Sequence, residues 1–163
     1  MGVLTDYFRA PDDEAVIRLL DRTRGHSPIV GRKPSFDGVE AKGVDPGVVL
    51  GSLVATIRGV PWDVQQVKVS QVWPPASEQE PDPSEDDPFQ DGPWAFALDD
   101  PTRDTLAGVA PADVTALVVT FVERTEELRG GGADEWRPVV EDLIGLARTA
   151  RDADQHLYCW ACL

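Results

Sequence analysis

Cys159 and Cys162 form a C-x-x-C, and His156, one of two histidines in the chain, stands three residues before it. A thiol pair of this spacing does redox chemistry when its first sulfur lies at a helix N-terminus, where the dipole lowers the thiol pKa. Here only Leu163 follows, and the expectation is that no helix supplies that field. On a strand, residues three apart face opposite sides, so both cysteines are expected as small apolar residues of a core strand. A zinc site needs about four ligands, and His156 is the only further one nearby. A hydrolytic reading would pair His156, as base, with Cys159, as nucleophile. No G-x-S-x-G accompanies it, and Gly51-Ser52 falls inside an apolar helical pattern. His26, the other histidine, can meet His156 only through the fold.

Carboxylates offer a second chemistry. The stretch Pro74 to Pro93 carries Glu78, Glu80, Asp82, Glu85, Asp86, Asp87 and Asp91 with no Lys, Arg or His among them. Prolines 74, 75, 81, 83, 88 and 93 keep it out of a helix or a central strand. It is no EF-hand: counted from Asp82, the sixth position is Asp87 where glycine is required, and the twelfth is Pro93 in place of glutamate. Loose cation binding is left open, and no metal or cofactor site is expected. Clustered carboxylates speed encounter with cationic surfaces, and Phe89 and Trp94 would add the apolar anchor that charge lacks. The alternative is a solvated loop with no partner. Asp37 and Glu40, three apart on a short strand, would face opposite sides and are not expected to cooperate. The segment from His26 to Ser35 is locally basic through Arg32 and Lys33 but carries no phosphate-loop pattern. A contact between it and the acidic stretch is a further possibility.

The whole chain repeats the sign of that stretch. Its formal net charge is −14 over 163 residues. Such a surface repels phosphate backbones and anionic lipid, so nucleic-acid and membrane partners are not expected and a basic protein is. No apolar run reaches membrane-spanning length. The opening residues lack a basic region followed by an apolar one, and Asp6 stands where a myristoylation motif wants Ser or Thr. A cytoplasmic protein is expected. The length fits a single domain, 1–163, with 74–93 as an acidic loop within it.

Periodicity supplies the elements that must hold these groups. Val3 to Phe8 reads as a strand. Pro11-Asp12-Asp13-Glu14 then opens a helix with Val16, Ile17 and Leu20 on one face, stopped by Gly25. Phe36 to Lys42 reads as a brief strand. Asp45-Pro46 begins a helix with Val49, Leu50, Leu53, Val54 and Ile57 as its apolar stripe. Residues 64–73 alternate, with Val67, Val69 and Trp73 assigned to one face, and residues 93–98 repeat the pattern. The two read as antiparallel neighbours on either side of the acidic loop. Helices follow from Asp100-Pro101, from Asp113 and, after Gly130-Gly131-Gly132, around Trp136 to Ala147. The apolar ending HLYCWACL suits a strand buried on both faces at the sheet centre. The tryptophans at 62, 73, 94, 136 and 160 are assigned to the core and to the braces of the loop.

The order is therefore strand, helix, strand, helix, two strands, three helices, strand. This is an α/β or α+β fold: one mixed sheet of about five strands under about five helices. Met1-Gly2 with Tyr7 in the first strand, the Val16/Leu19/Leu20 helix, the helix from Asp45 to Ile57, the strand running into Asp99-Asp100-Pro101 and the apolar last strand together resemble the YfbM-like family of small bacterial proteins. The resemblance covers most of the chain; the acidic insert and the CWAC ending depart from it. It implies a mixed α/β fold and no established activity. The leading functional expectation is a non-enzymatic protein of inhibitor or immunity-like type that binds another protein through its acidic surface. The second is a small enzyme with its site around His156 and Cys159. The third is a structural domain with no ligand.

Overall fold

His156–Cys162, the apolar run at the carboxyl end, is the middle strand of a five-stranded sheet. The computed structural model describes residues 3–75, 91–128 and 130–163. Its strands are β1 (Leu4–Ala10), β2 (Gly38–Glu40), β3 (Val69–Trp73), β4 (Trp94–Leu98) and β5 (His156–Cys162). Its α-helices are α1 (Asp13–Thr23), α2 (Val49–Arg58), α3 (Asp100–Ala107), α4 (Val114–Arg124) and α5 (Ala133–Asp152). The element order is the one read from periodicity. In space the strands run β2-β1-β5-β4-β3.

Every pairing among the described residues is antiparallel, so the sheet is not the mixed one expected. Helices α3 to α5 bring the chain back to the end of the sheet where β4 finishes, and Ala97 pairs with Tyr158, Trp94 with Ala161. A parallel partner would have needed a return to the opposite end. Apolar patterning records which residues are buried but carries no strand direction.

The sheet is covered on both faces. One face holds α1: Val16 and Leu20 pack on Phe8, Ala10, Ala95 and Tyr158. Phe8 lies stacked between Phe36 and Tyr158, with ring centroids 5.6 and 5.4 Å apart. The other face holds α2 to α5, whose Leu53, Leu106, Val118, Phe121 and Ile144 enclose Tyr7, Leu98, Leu157 and Cys159. Each fully buried side chain of this size contributes roughly 1.5–3 kcal/mol, so the double coverage is what makes β5 continuously apolar.

Local signals set the helix ends. The Asp12 carboxylate accepts from Ala15 N at 2.8 Å, capping α1. Asp45 accepts from Val48 N at 2.7 Å and Val49 N at 3.3 Å, which opens α2 a turn later than Asp45-Pro46 suggested. Helix α1 ends on two left-handed residues, Arg24 (φ 56°) and Gly25 (φ 78°), with Gly25 N donating to Leu20 O at 2.8 Å. Three side chains then tie α1 to the sheet. Tyr158 Oη donates to Asp13 Oδ1 at 2.8 Å, Trp73 Nε1 to Asp21 Oδ1 at 2.9 Å, and Trp160 Nε1 to Gly25 O at 2.9 Å.

Two assignments change. The register slips between Gln71 and Trp73, so Trp73 joins the α1-side cluster, while Val69 is paired with Leu98 of the opposite core. A bulge adds one residue and reverses the alternation beyond it. Trp62 is no core residue either: it is 47% exposed, with Nε1 donating to Gly47 O at 3.1 Å. Among the described residues no single helix is long and apolar enough to cross a membrane.

Candidate functional site

Helix α1 does not cover the whole of its sheet face. It stops at Gly25, and beyond that point the sheet continues through Leu4 and Asp6 of β1, Glu40 of β2, and Trp160 and Cys162 of β5. Leu4 pairs with Cys162, and Asp6 pairs with Trp160 on one side and Glu40 on the other. Paired residues share a face, so these five side chains form the floor of one cavity. Arg24 to Ser27, Val30, Lys42 and Pro93 wall it, and its volume is about 640 Å³. That is the size of a small-molecule site.

Gly25 is required at the turn. A Cβ there would lie 2.6 Å from Pro93 Cγ and 2.7 Å from the Trp73 ring, on a backbone whose φ already disfavours any side chain. The close approach packs the helix end, the strand end before the acidic segment and the strand start after it into one corner. The described ends of that segment, Pro75 and Asp91, are rooted in the same corner. Gln71 Nε2 donates to Pro74 O at 3.0 Å, and Leu163 N donates to Asp91 O at 3.0 Å.

Asp6 is the buried ionisable group of the cavity, 8% exposed. Ser27 Oγ donates to its Oδ2. Among the described residues no other donor reaches this carboxylate, and its second oxygen is not closed off from solvent. Burial raises the Asp6 pKa above the ordinary value, the Ser27 hydrogen bond works against that, and the Glu40 charge adds to it. The His26 ring at the rim is bonded through Nδ1 to the Thr23 carbonyl, so Nδ1 carries the proton and Nε2 is the acceptor when the ring is neutral.

The sequence candidates fall elsewhere. Glu78, Glu80, Asp82, Glu85, Asp86, Asp87 and Phe89 lie outside the described residues. Asp91 is exposed at the root of the segment. Trp94 is half-buried and paired with Ala161, on the sheet face opposite the cavity floor. It is therefore not a neighbour of the Asp6 carboxylate.

His156 and Cys159 are not brought together. Cys159 is fully buried among the α2–α5 helices, and its thiol is pushed up to about 12, chiefly by burial. His156 lies on the opposite sheet face, at the far end of β5 from the cavity. Its Nδ1 bonds Asp100 Oδ1 at 2.8 Å, and Arg103 Nη1 lies 3.1 Å from the same oxygen. Cys162 is half-exposed and lines the cavity. Asp37 pairs with Arg9 at 3.2 Å, and the carboxylate that Glu40 meets is Asp6. Among the described residues no group of three or more His, Cys, Asp or Glu is placed to hold a metal.

The described residues thus form a five-stranded antiparallel sheet with one helix on one face and four on the other, and with a cavity beyond the single helix. No protein-family model, no curated protein and no solved structure matches it.

Proposed function

We propose that this is a non-catalytic cytoplasmic binding protein that captures a basic protein through its acidic surface, as an inhibitor or immunity-like factor does. The observation that carries this reading is the run of seven carboxylates without a cation between Glu78 and Asp91, in a chain of net charge −14. Clustered anionic groups of this kind steer cationic partners and reject anionic ones. The rooting of Pro74 and Asp91 by hydrogen bonds to Gln71 and Leu163 supports it, because a docking segment gains affinity when its ends are held. The YfbM-like resemblance would add a fold and no activity, so the reading rests on the surface.

The test is affinity capture, with identification of the captured protein, by the intact chain and by a variant lacking residues 77–91. The intact chain is expected to enrich one basic protein, with binding that weakens as salt rises. The variant is expected to fold and to lose the capture. Equal capture by the two forms overturns the proposal.

A further inference from the structure

We infer that the cavity beyond the end of α1 is a binding site for a small monoamine with an apolar body, its ammonium group received by Asp6 and its body lying against Trp160 and Leu4. This goes beyond the protein-binding reading and does not depend on the acidic segment.

Three observations carry it. The first is an unfilled hydrogen-bonding capacity. A carboxylate can accept about four hydrogen bonds, and Asp6 takes one side-chain donor, Ser27 Oγ, at one of its oxygens. Its remaining capacity is open to solvent at the wall of a cavity of about 640 Å³, so an occupant's donor can reach it. The second is charge. Glu40 stands directly across the strand pair from Asp6, so two carboxylates share one end of the cavity. A cation between them relieves their repulsion and makes charge-assisted bonds. The third is the remaining wall. Asp6 pairs across β1 and β5 with Trp160, whose indole nitrogen is already committed to Gly25 O. The ring therefore offers apolar surface beside the carboxylate, and a cation near an indole is favoured further. Leu4, Val30 and Pro93 continue that surface.

The rim narrows the class. Arg24, His26 and Lys42 border the mouth and are exposed. They oppose a second positive charge outside the carboxylate pair, so a polyamine is disfavoured against a monoamine.

The probe is 2-phenylethylamine, with 3-phenylpropanoate as the anionic control of similar body. Backbone amide shifts of the intact protein are followed by NMR in titrations up to about 10 mM, where even a millimolar complex is visible. The amine is expected to shift residues 4–6, 25–27 and 160–162, and the propanoate is not. Asp6→Asn retains the oxygen that Ser27 needs and is expected to weaken amine binding at least about tenfold, the value of one charge-assisted hydrogen bond. An independent readout guards against a misfolded variant: bound amine should slow alkylation of Cys162 in the wild-type protein. No shift with the amine, equal binding of the propanoate, full binding by a folded Asp6→Asn protein, or alkylation of Cys162 unaffected by saturating amine would each overturn the inference.

Discussion

At the scale of single residues, position on a strand decides what a reactive group can do. Cys159 and Cys162 share a C-x-x-C spacing, yet β5 sends one into the helical core and the other to the cavity edge. The buried thiol is both inaccessible and held protonated, its pKa being about 12. Native alkylation at neutral pH is therefore expected to modify Cys162 alone, and denaturation to release the second thiol; mass spectrometry counts them. Two fast thiols in the native state would contradict the burial of β5. Asp6 makes a second prediction. Its folded pKa is raised above the ordinary 3.8 by burial and by Glu40. The folded state thus holds the proton to higher pH than the unfolded chain, and stability falls as pH rises through that window. Asp6→Asn removes this cost. The melting temperature of the variant relative to wild type should climb from acid pH toward neutrality, and a difference constant with pH would refute the assignment.

At the scale of elements, α1 determines where the cavity begins. Its start is set by the Asp12 cap and its stop by Gly25. Asp12→Ala is expected to cost about 1 kcal/mol, the value of one N-cap. For a chain of this length that lowers the melting temperature by roughly 2–4 °C. Gly25→Ala should cost more. Left-handed backbone alone disfavours alanine by about 1–2 kcal/mol, and the new Cβ meets Pro93 and Trp73. Circular dichroism melts of the two variants should rank in that order. The amide signals of Trp73 and residues 91–93 should move in Gly25→Ala but not in Asp12→Ala. The reverse ranking would mean that the corner between α1 and the two strand ends is looser than described.

At the scale of the whole molecule, the charge is unevenly carried. Removing residues 77–91 deletes seven carboxylates and halves the net charge of −14. The fold should tolerate this, because Trp73 and Trp94 sit on strands already paired to each other, and the strand of Trp94 is paired to β5 as well. Association with a basic partner should slow strongly in the deletion, and the salt dependence of the on-rate should flatten. Stopped-flow association at two ionic strengths measures both. An unchanged salt slope would contradict the proposed docking role of this segment.

Much of this architecture is local information. Asp12, Asp45 and Gly25 announce helix ends through backbone hydrogen bonding and allowed dihedrals. The unbroken apolar run from Leu157 to Ala161 announces a strand covered twice. These are interactions within a few residues, which order along the chain preserves. Element order and the central place of β5 were therefore readable from the sequence alone. Strand direction, the bulge that turns Trp73, and the surface position of Trp62 were not, because each depends on which distant segment comes alongside. The cavity belongs to the same class. Asp6, Glu40, Ser27, Trp160 and Cys162 come from four separate segments and carry no shared motif. Only the lateral pairing of β1 with both β2 and β5 sets Asp6 beside Glu40 and Trp160, and among the described residues the early end of α1 leaves that face uncovered.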